Sequence, residues 1–514
     1  MIGRPESSTE MSSSIENAIL SIGSRRELFV DHCLIDSMRG VDLRLQTPVD
    51  CGEAINFDRP WEGQASFYST VLHDNKIFRA YYRGRPETLT DGTRAECTCV
   101  AESGDGIHWE KPELGLVEAD GTIGTNIILC EPYLSTNFCP MLDANPAAAA
   151  SQRYKALAGG DYLAGGDDFG VMALVSEDGL HWKKLQEAPV FHRDNLPPEM
   201  SSVCVFDSQN VVFWSEIEQR YLAYFRVWVA GFRRIARMES LDFRNWSRIE
   251  LMEYRAADGG PGAFEELYVN QTFPYFRAPH LYVALAGRFV GNRKVLSDEQ
   301  IAALGLLPSQ GNDISDAVFL TSRGGAVYDR VFPEAFVRPG IGLNNWGARS
   351  NFPALNVIQT GPAEMSFYLQ CNYSQPTAHL RRYSLRLDGF SSLHAPWAGG
   401  EMVTKPLIFD GDRLSLNMST SAAGSIRVEL QDLHGRPYPG FELENCEVII
   451  GNEIDRSVRW KRWQSLAPLS GRPVRFRFAM KDADIFSLQI ERINNYCSRP
   501  GRPGLPLPPF ASAE

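Results

Sequence analysis

Hydrophobic and polar residues alternate in five stretches of the chain, and each stretch contains or follows a polar turn. Alternation at period two that is bounded by turn residues and rich in aromatic side chains predicts one arm of an antiparallel β-hairpin. The stretches are HDNKIFRAYYRG (73–84), SQRYKALAGG (151–160), SEIEQRYLAYFR (215–226), FRAPHLYVALAGR (276–288) and GPAEMSFYLQCNY (361–373). The pattern therefore predicts five similar hairpin units.

A second repeat follows each of the first four stretches and has the form of a tight turn that ends in an aromatic residue. Its copies are SGDGIHW (103–109), SEDGLHW (176–182), SLDFRNW (240–246) and the degenerate SRGGAVY (322–328), at successive spacings of 73, 64 and 82 residues. Serine and aspartate side chains accept hydrogen bonds from a turn backbone, and glycine permits a positive φ. We therefore interpret Asp105, Asp178, Asp242, His108 and His181 as parts of turns rather than of an active site.

Five repeated sheet units with little helical pattern predict an all-β protein built around a five-bladed β-propeller. The segment 290–314 is an exception, because Ser297 and Gln300 form a capping-box pattern before the apolar run IAALGLL, which predicts a helical insertion in blade four. Beyond residue 395, longer alternating strands predict an appended C-terminal β-sandwich. The expected organisation is a flexible tail at 1–24, the propeller at 25–395, the β-sandwich at 396–498 and a proline-rich tail at 499–514.

Composition narrows the classes of function. The 514 residues carry a net charge of −12, which disfavours nucleic acid binding because that binding needs clustered Lys and Arg. No apolar run is long enough to predict a membrane span. The ten cysteines are scattered, and the first residues lack the basic-then-apolar order of a signal peptide. We therefore expect a cytoplasmic protein with reduced thiols, while export through a removed leader and the oligomeric state stay open.

The first strand of each propeller blade lines a central funnel, so acidic residues just upstream of the hairpin arms can converge on the axis. The candidate catalytic residues are Glu62, Asp143, Asp207 and Glu266, one from each of the first four units. Glu265 competes with Glu266, and Asp58 is a second acid of the first unit. The candidate substrate contacts are Asp58, Trp61, Arg83, Arg226, Asn270, Arg323, Arg338, Trp346, Arg349, Asn351 and His379.

These residue types suit the cleavage of a glycosidic bond. One carboxyl group protonates the leaving oxygen, and a second attacks the sugar or activates water. Arginine can bind a sugar carboxylate, and tryptophan can stack on a sugar ring. Structural roles compete with this interpretation, since Asp143 precedes Asn-Pro and can cap a turn, Glu62 lies in a predicted loop, and His379 can be a structural histidine.

The turns SEDGLHW, SGDGIHW and SLDFRNW resemble the Ser-x-Asp-x-x-x-Trp blade turns of the five-bladed glycoside hydrolases, the invertase, levansucrase and arabinanase group of families 32, 43 and 68. They are one residue shorter than the Asp-box of sialidases. The stretches FDSQNVVFW, RYKALAGG and RPGIGLNNWGARSNFPAL further resemble uncharacterised bacterial family-32-like proteins. The resemblance spans roughly residues 25–500 and is mainly one of architecture.

By blade position, the resemblance implies a nucleophile or base at Glu62 or Asp58, a stabilising Asp143 and an acid at Asp207. The invertase motifs Asn-Asp-Pro-Asn and Arg-Asp-Pro are absent, as is Glu-Cys from the third unit, and only Asp143-Ala-Asn-Pro is similar to the second motif. Fructoside specificity is therefore not implied.

We expect a glycoside hydrolase that acts on an oligosaccharide of an unusual or acidic glycan, without nucleic acid or membrane partners. The alternatives are a non-catalytic carbohydrate-binding propeller and a lyase or phosphorylase that uses the same pocket. No cofactor is predicted. A structural cation in the axial channel stays open, although no ligand cluster in the sequence identifies one.

Overall fold

The protein is described here by a computed structural model that covers residues 19–74, 76–85, 96–160, 170–200, 205–247, 249–462 and 465–492. Most regular structure in these ranges is β-strand, which confirms the predicted all-β class. The described part of the chain contains no helix that is long and apolar enough to cross a membrane. Five strands precede the first blade: β1 (Leu20–Gly23), β2 (Arg26–Leu28), β3 (Ile35–Arg39), β4 (Asp42–Leu45) and β5 (Val49–Asn56).

Each of the first three blades is an antiparallel sheet whose main strands follow one another along the chain. Blade one contains β6 (Phe67–His73), β7 (Phe78–Gly84), β8 (Cys97–Ser103) and β9 (Ile127–Leu129). Blade two contains β10 (Cys139–Leu142), β11 (Tyr154–Gly159), β12 (Gly170–Ser176), β13 (Lys183–Lys184) and β14 (Phe191–His192). Blade three contains β15 (Val211–Ser215), β16 (Arg220–Val229), β17 (Phe232–Ser240) and β18 (Glu250–Leu251).

The last two blades depart from this simple order. Blade four contains β19 (Glu253–Ala256), β20 (Glu266–Val269), β21 (Thr272–Tyr275), β22 (Ala278–Val290), β23 (Ile314–Ser322) and β24 (Val327–Arg330). Blade five contains β25 (Phe352–Pro353), β26 (Ile358–Gln359), β27 (Glu364–Cys371) and β28 (His379–Arg386). The earlier strand β5 completes blade five by pairing antiparallel with β28. Strands from both ends of the propeller segment therefore share one sheet, which closes the ring.

Contacts between the first strands of neighbouring blades confirm the predicted five-bladed ring. Strands β6, β10, β15 and β21 contact one another in turn, and blade five contacts both blade four through β25 and blade one through β26. The five hairpin arms read from the sequence fall on β7, β11, β16, β22 and β27, one in each blade.

Every blade has a residue with positive φ at or near the start of its first strand. These residues are Tyr68 (53°), Asn137 (52°), Phe206 (61°), Gln271 (49°) and Asn351 (65°). Side chains other than glycine rarely adopt this conformation, so surrounding contacts must hold it. The Gln271 amide supplies such contacts by donating to Gln209 Oε1 at 2.8 Å and to the Pro353 carbonyl at 2.9 Å. Strained backbone of this kind collects at functional sites, which directs attention to this end of the axis.

The repeated turns have the predicted structural role. Asp105 Oδ1 accepts the backbone N–H groups of Ile107 at 2.8 Å and His108 at 2.9 Å. Asp178 and Asp242 repeat the arrangement in blades two and three. The blade-two turn also binds the preceding blade, because Arg79 of β7 donates to the Asp178 carbonyl. The turns therefore hold adjacent blades together.

The insertion in blade four forms the predicted helix, α1 (Asp298–Ala303). Ser297 accepts the Gln300 backbone N–H at 3.2 Å, and the Gln300 side chain accepts the Ser297 backbone N–H at 2.9 Å, so the capping box is formed. Short 3₁₀ turns lie at Ala150–Gln152, Arg193–Asn195, Pro308–Gly311 and Ala467–Leu469.

The C-terminal region is one connected eight-stranded sheet with its own hydrophobic core. The strands that follow blade five are β29 (Ser391–Ala395), β30 (Gly400–Thr404), β31 (Leu407–Phe409), β32 (Arg413–Gln431), β33 (Asn452–Ser457) and β34 (Arg475–Glu491). All of these except β31 belong to the eight-stranded sheet, and β31 pairs with β1 outside it. The long strands β32 and β34 pair along most of their lengths. The division of this sheet into two sandwich layers stays a prediction.

The beginning of the chain differs from the expected domain organisation. Strands β2, β3 and β4 join the C-terminal sheet rather than the propeller, and β1, within the predicted tail, pairs with β31. These segments are short and lack the repeat that marks the blades, so their distant partners cannot be read from local pattern. The proline-rich tail lies outside the described residues.

Candidate active site

Polar and aromatic side chains from four blades converge where the first strands begin. Tyr68 and Arg83 come from blade one, Asp207 and Arg226 from blade three, Tyr268 from blade four, and Arg349 and Tyr373 from blade five. We call these seven residues the axial cluster. Aromatic contacts hold it together, since Phe67 packs against Tyr68, Tyr373 and Phe352, and Phe352 packs against Tyr268. The cluster includes three residues predicted as substrate contacts and one predicted as catalytic.

Asp207 and Arg226 form the ion pair of the cluster. Arg226 Nη2 lies 3.1 Å from Asp207 Oδ2, and the two segments are held in register because the Phe206 backbone N–H donates to the Arg226 carbonyl at 3.2 Å. The Arg226 side chain is 2% exposed, whereas that of Asp207 is 31% exposed. Asp207 is therefore accessible to solvent, while its partner Arg226 belongs to the buried side of the cluster, which we call the floor.

Tyr268 lies among three guanidinium groups. The guanidinium carbons of Arg226, Arg233 and Arg349 lie 4.7, 5.1 and 5.7 Å from the centre of its ring. Burial alone would raise the pKa of the Tyr268 phenol, but the positive charges of Arg349 and Arg226 outweigh it and lower the pKa to about 8. The phenol is thus far easier to ionise than an ordinary tyrosine.

Arg349 is a half-buried cation that has no acidic partner among the described residues. Among the described residues, no carboxylate lies within 4.0 Å of its guanidinium group. Its neighbours are instead the rings of Tyr268 and Tyr373, at 5.7 and 5.8 Å. Its own backbone has a positive φ of 64°, and its N–H donates to Ser315 Oγ at 3.1 Å. A half-buried guanidinium group with this surrounding is suited to an anionic ligand.

Arg83 lies on the side of the cluster that blade one forms. Its guanidinium carbon lies 4.8 Å from the ring centre of Tyr68, and one of its nitrogens lies 3.5 Å from Glu96. Burial, together with the nearby Tyr268 and Asp207, raises the pKa of the Tyr68 phenol well above its ordinary value. Tyr68 therefore stays protonated where Tyr268 ionises.

The charges of this region sum to an excess of positive charge among the described residues. Three of its arginines have acidic partners, since Arg83 pairs with Glu96, Arg226 with Asp207 and Arg233 with Glu266. Arg349 has none within 4.0 Å in the described part of the chain. The described part of the site is therefore cationic, in contrast to the acidic funnel that the sequence predicted.

Glu62 lies apart from the axial cluster. Its side chain is fully buried beside the hydrophobic cluster that joins blades one and five. Its carboxylate accepts hydrogen bonds from Tyr82 Oη at 2.6 Å, Lys111 Nζ at 2.6 Å and the Arg59 backbone N–H at 2.9 Å. Both oxygens are thus engaged inside the protein, which makes Glu62 a structural carboxylate.

The two neighbours of Glu62 that were candidate substrate contacts share this structural setting. Asp58 binds Lys111 at 2.7 Å from the solvent side. Trp61 is 7% exposed and donates its indole N–H to Asn126 at 2.7 Å. The indole ring is therefore packed inside the protein rather than presented to a sugar.

Asp143 follows the end of β10, at the opposite end of the first strand from the axial cluster. Its side chain is fully buried, Oδ1 accepts the Asn145 backbone N–H at 2.9 Å, and Oδ2 binds Tyr221 Oη at 2.8 Å and Lys155. These contacts fit the turn-capping role, which was the alternative prediction for Asp143.

Glu266 lies next to the cluster because it binds Arg233. Its carboxylate accepts hydrogen bonds from the backbone N–H of Arg233 at 3.1 Å and from the guanidinium group at 3.2 Å. Asn270 and Asn351 are buried and bind the neighbouring backbone. His379 is 2% exposed, and its Nδ1 lies 2.8 Å from a backbone carbonyl. None of the last three reaches the axial cluster through a described contact.

The remaining candidates lie elsewhere. Arg323 joins the propeller to the N-terminal segment by binding Glu27 at 2.7 Å and Asp31 at 2.8 Å. Arg338 and Trp346 line a separate cavity of about 700 Å³ on blade four. They stay candidate substrate contacts of that cavity.

Sequence reasoning missed Tyr68, Tyr268, Tyr373 and Arg233. The sequence candidates are acids, arginines, tryptophans, asparagines and one histidine, and no tyrosine is among them, although Tyr268 stands two residues before the candidate Asn270. Its importance depends on three arginines that are distant in sequence. No group of three or more His, Cys, Asp or Glu side chains in the described ranges could hold a metal ion.

Comparison with known proteins gives limited similarity. No protein family and no curated protein matches the chain in sequence. Among solved structures, a glycoside hydrolase is 11% identical with a TM-score of 0.45, over 74% of this chain and 96% of the other. An N-acetylgalactosamine deacetylase from F. plautii is 12% identical with a TM-score of 0.42, over 68% and 96% of the two chains. A fructofuranosidase from Schwanniomyces occidentalis is 11% identical with a TM-score of 0.38, over 85% and 96%. The five-bladed assignment rests on this chain's own strand order.

Proposed function

We propose that the protein is a glycoside hydrolase that cleaves a glycosidic bond of an acidic glycan at the axial cluster. The observation that carries the proposal is the position of Asp207 at the convergence of the blades. It is a solvent-accessible carboxylate beside the buried Arg226, the half-buried Arg83 and Arg349, and three buried tyrosines. Such an arrangement combines a group that exchanges protons with cations that fix a charged substrate.

Arg349 supports the choice of an acidic substrate. Its guanidinium group has no carboxylate within 4.0 Å in the described part of the chain, so a sugar carboxylate or sulfate would supply the missing countercharge. The fork of the guanidinium matches the two oxygens of a carboxylate, which adds orientation to attraction.

In the proposed reaction, Asp207 handles the proton of the leaving oxygen. A substrate anion that binds Arg226 weakens its pairing with Asp207 and adds negative charge nearby, and both effects favour the protonated acid. Acidic substrates would thereby prepare the acid that cleaves them.

The test is hydrolysis of oligosaccharides that contain uronic acid or sulfate groups, with neutral counterparts as controls. We expect new reducing ends from at least one acidic substrate and none from the same substrate with Asp207→Asn. Binding without cleavage across the series would favour a carbohydrate-binding propeller. Cleavage that requires added inorganic phosphate would indicate phosphorolysis.

A β-eliminating lyase is the second candidate. It is favoured by the combination of Arg349, which can neutralise a substrate carboxylate, and Tyr268, which can serve as a base. Elimination leaves a double bond in the product, which absorbs ultraviolet light, whereas hydrolysis leaves none. The absorbance of the products therefore separates the two reactions.

A further inference from the structure

We infer that Tyr268 is the catalytic nucleophile of the proposed hydrolysis, attacking the anomeric carbon through its phenolic oxygen. The inference rests on the proposed function and adds the identity of the second reacting group. Hydrolysis with retention needs two groups at the bond, and among the described residues Asp207 is the one carboxylate of the axial cluster. Some glycosidases use a tyrosine in place of the second carboxylate.

The surroundings of Tyr268 favour an anionic phenol. Three guanidinium groups lie within 6 Å of its ring, from Arg226 and Arg233 of blade three and Arg349 of blade five. Among the described residues, Asp207 and the phenol of Tyr68 also face it. Arg233 and Arg226 also pair with carboxylates, whereas no described carboxylate lies within 4.0 Å of Arg349 to compete with the phenolate.

A phenolate suits an acidic substrate better than a second carboxylate would. Two carboxylates a few ångströms apart repel one another, and an anionic sugar adds a third negative charge. A phenolate spreads its charge over the ring, and in this site the ring is in contact with cations. Tyr268 is 4% exposed beside the more accessible Asp207, so attack from the floor of the site and proton transfer from its open side can occur together.

The proposed steps conserve atoms and charge. The Tyr268 phenolate forms a bond to the anomeric carbon while the bond to the leaving oxygen breaks, and that oxygen takes a proton from Asp207. Water then attacks the same carbon and gives a proton to Asp207, and the bond to the tyrosine oxygen breaks to restore the phenolate. Two displacements at one carbon give retention of configuration.

The first test is an ultraviolet titration of tyrosinate on the intact protein, which needs no substrate. We expect one of the 18 tyrosines to ionise with a midpoint near pH 8, and we expect Tyr268→Phe to remove that step. The matched control is Tyr383→Phe in β28, where burial raises the pKa of the phenol, so this variant should keep the step. If Tyr268→Phe fails to fold, Arg349→Met serves instead and should move the midpoint upward. A wild-type protein without a step below pH 9 would overturn the inference.

The second test uses an acidic oligosaccharide that the wild-type protein cleaves. Tyr268→Phe should lower kcat by about 100-fold or more, and mass spectrometry of quenched wild-type reactions should find the sugar on the peptide that contains Tyr268. Cleavage by wild type with full activity in Tyr268→Phe would overturn the nucleophile and leave the hydrolase proposal intact. If the wild type cleaves no glycan although the titration step is present, the proposed function fails and the nucleophile fails with it.

Discussion

Asp207 and Arg226 face each other at the start of blade three, with Nη2 of the arginine 3.1 Å from Oδ2 of the aspartate. The arginine is buried against the ring of Tyr268, and the aspartate is open to solvent. The pair thus links the accessible side of the axial cluster to its floor. A ligand that competes for Arg226 would change the charge balance at both Asp207 and Tyr268.

Replacing Asp207 by Asn should abolish catalysis while preserving the fold. The amide cannot transfer the proton of the leaving oxygen, so kcat should fall by about 100-fold or more. The steady-state rate on an acidic oligosaccharide measures this loss. Asp105→Asn, in the blade-one turn, is the matched control and should keep kcat, because Asp105 binds only its own turn and the adjacent His108. Equal activity of Asp207→Asn and wild type would remove Asp207 from the mechanism.

Replacing Asp242 by Ala should lower the free energy of unfolding by about 1 kcal/mol near neutral pH, because the turn loses its acceptor for two backbone N–H groups. Burial alone would raise the pKa of Asp242, but hydrogen bonds from the Asn245 backbone and side chain lower it to about 2. A lowered pKa in the folded state stabilises the protein above the pKa of the unfolded chain, about 4, and this stabilisation is lost as pH falls towards 2.

The difference between wild type and Asp242→Ala should therefore shrink as pH falls from about 5 to about 2. Urea unfolding at a series of pH values measures it. A difference that stayed constant over this range would show that the Asp242 charge does not support the turn.

Replacing Glu62 by Gln should destabilise the protein rather than disable its chemistry. Lys111 would lose its buried partner and keep only the exposed Asp58, with a cost of about 3 kcal/mol, while the axial cluster would be unchanged. The double variant Glu62→Gln/Lys111→Met removes the lysine charge that has lost its buried partner and should recover part of the lost free energy of unfolding. Both effects are measured by denaturant titration, and kcat per folded molecule should match wild type. A loss of kcat with an unchanged free energy of unfolding would show that Glu62 takes part in catalysis.

Replacing Ile55 by Asp should open the propeller ring. Ile55 is 3% exposed in β5 and pairs with Leu380 of β28, so the change places a carboxylate in the strand pair that closes blade five. We expect loss of cooperative thermal unfolding. Glu53→Gln, on the exposed side of the same strand, should change stability by about 0.5 kcal/mol or less. If Ile55→Asp unfolded like wild type, β5 would not be required for closure.

The repeats made the propeller predictable, because each blade restates the same hairpin and the same turn. Strand β5 was harder to place, since its partner β28 lies more than 300 residues away and no local pattern marks such a pairing. The strands β2, β3 and β4 lie within the range 25–395 predicted as propeller but pair in the C-terminal sheet, for the same reason.

The site was predictable only where a residue's role depends on its position near the start of a first strand. Asp207 and Arg349 were found in this way, whereas the predicted Arg83 and Arg226 lie on the second strands β7 and β16, opposite Phe67 and Phe206. Glu62 and Asp143 also stand near first strands, but Lys111 and Lys155 bind them inside the protein, and these partners are invisible in the local sequence. Tyr268 acquires its character from arginines on blades three and five.

The most direct test of the central claim compares one cleavable acidic oligosaccharide with its carboxyl-reduced counterpart, using wild type and Arg349→Met. An ionic hydrogen bond of about 1.5–3 kcal/mol corresponds to roughly 10–100-fold in kcat/KM. The account predicts that wild type prefers the acidic substrate by this factor and that Arg349→Met loses the preference. Equal kcat/KM for both substrates in wild type, or a preference unchanged in Arg349→Met, would contradict it.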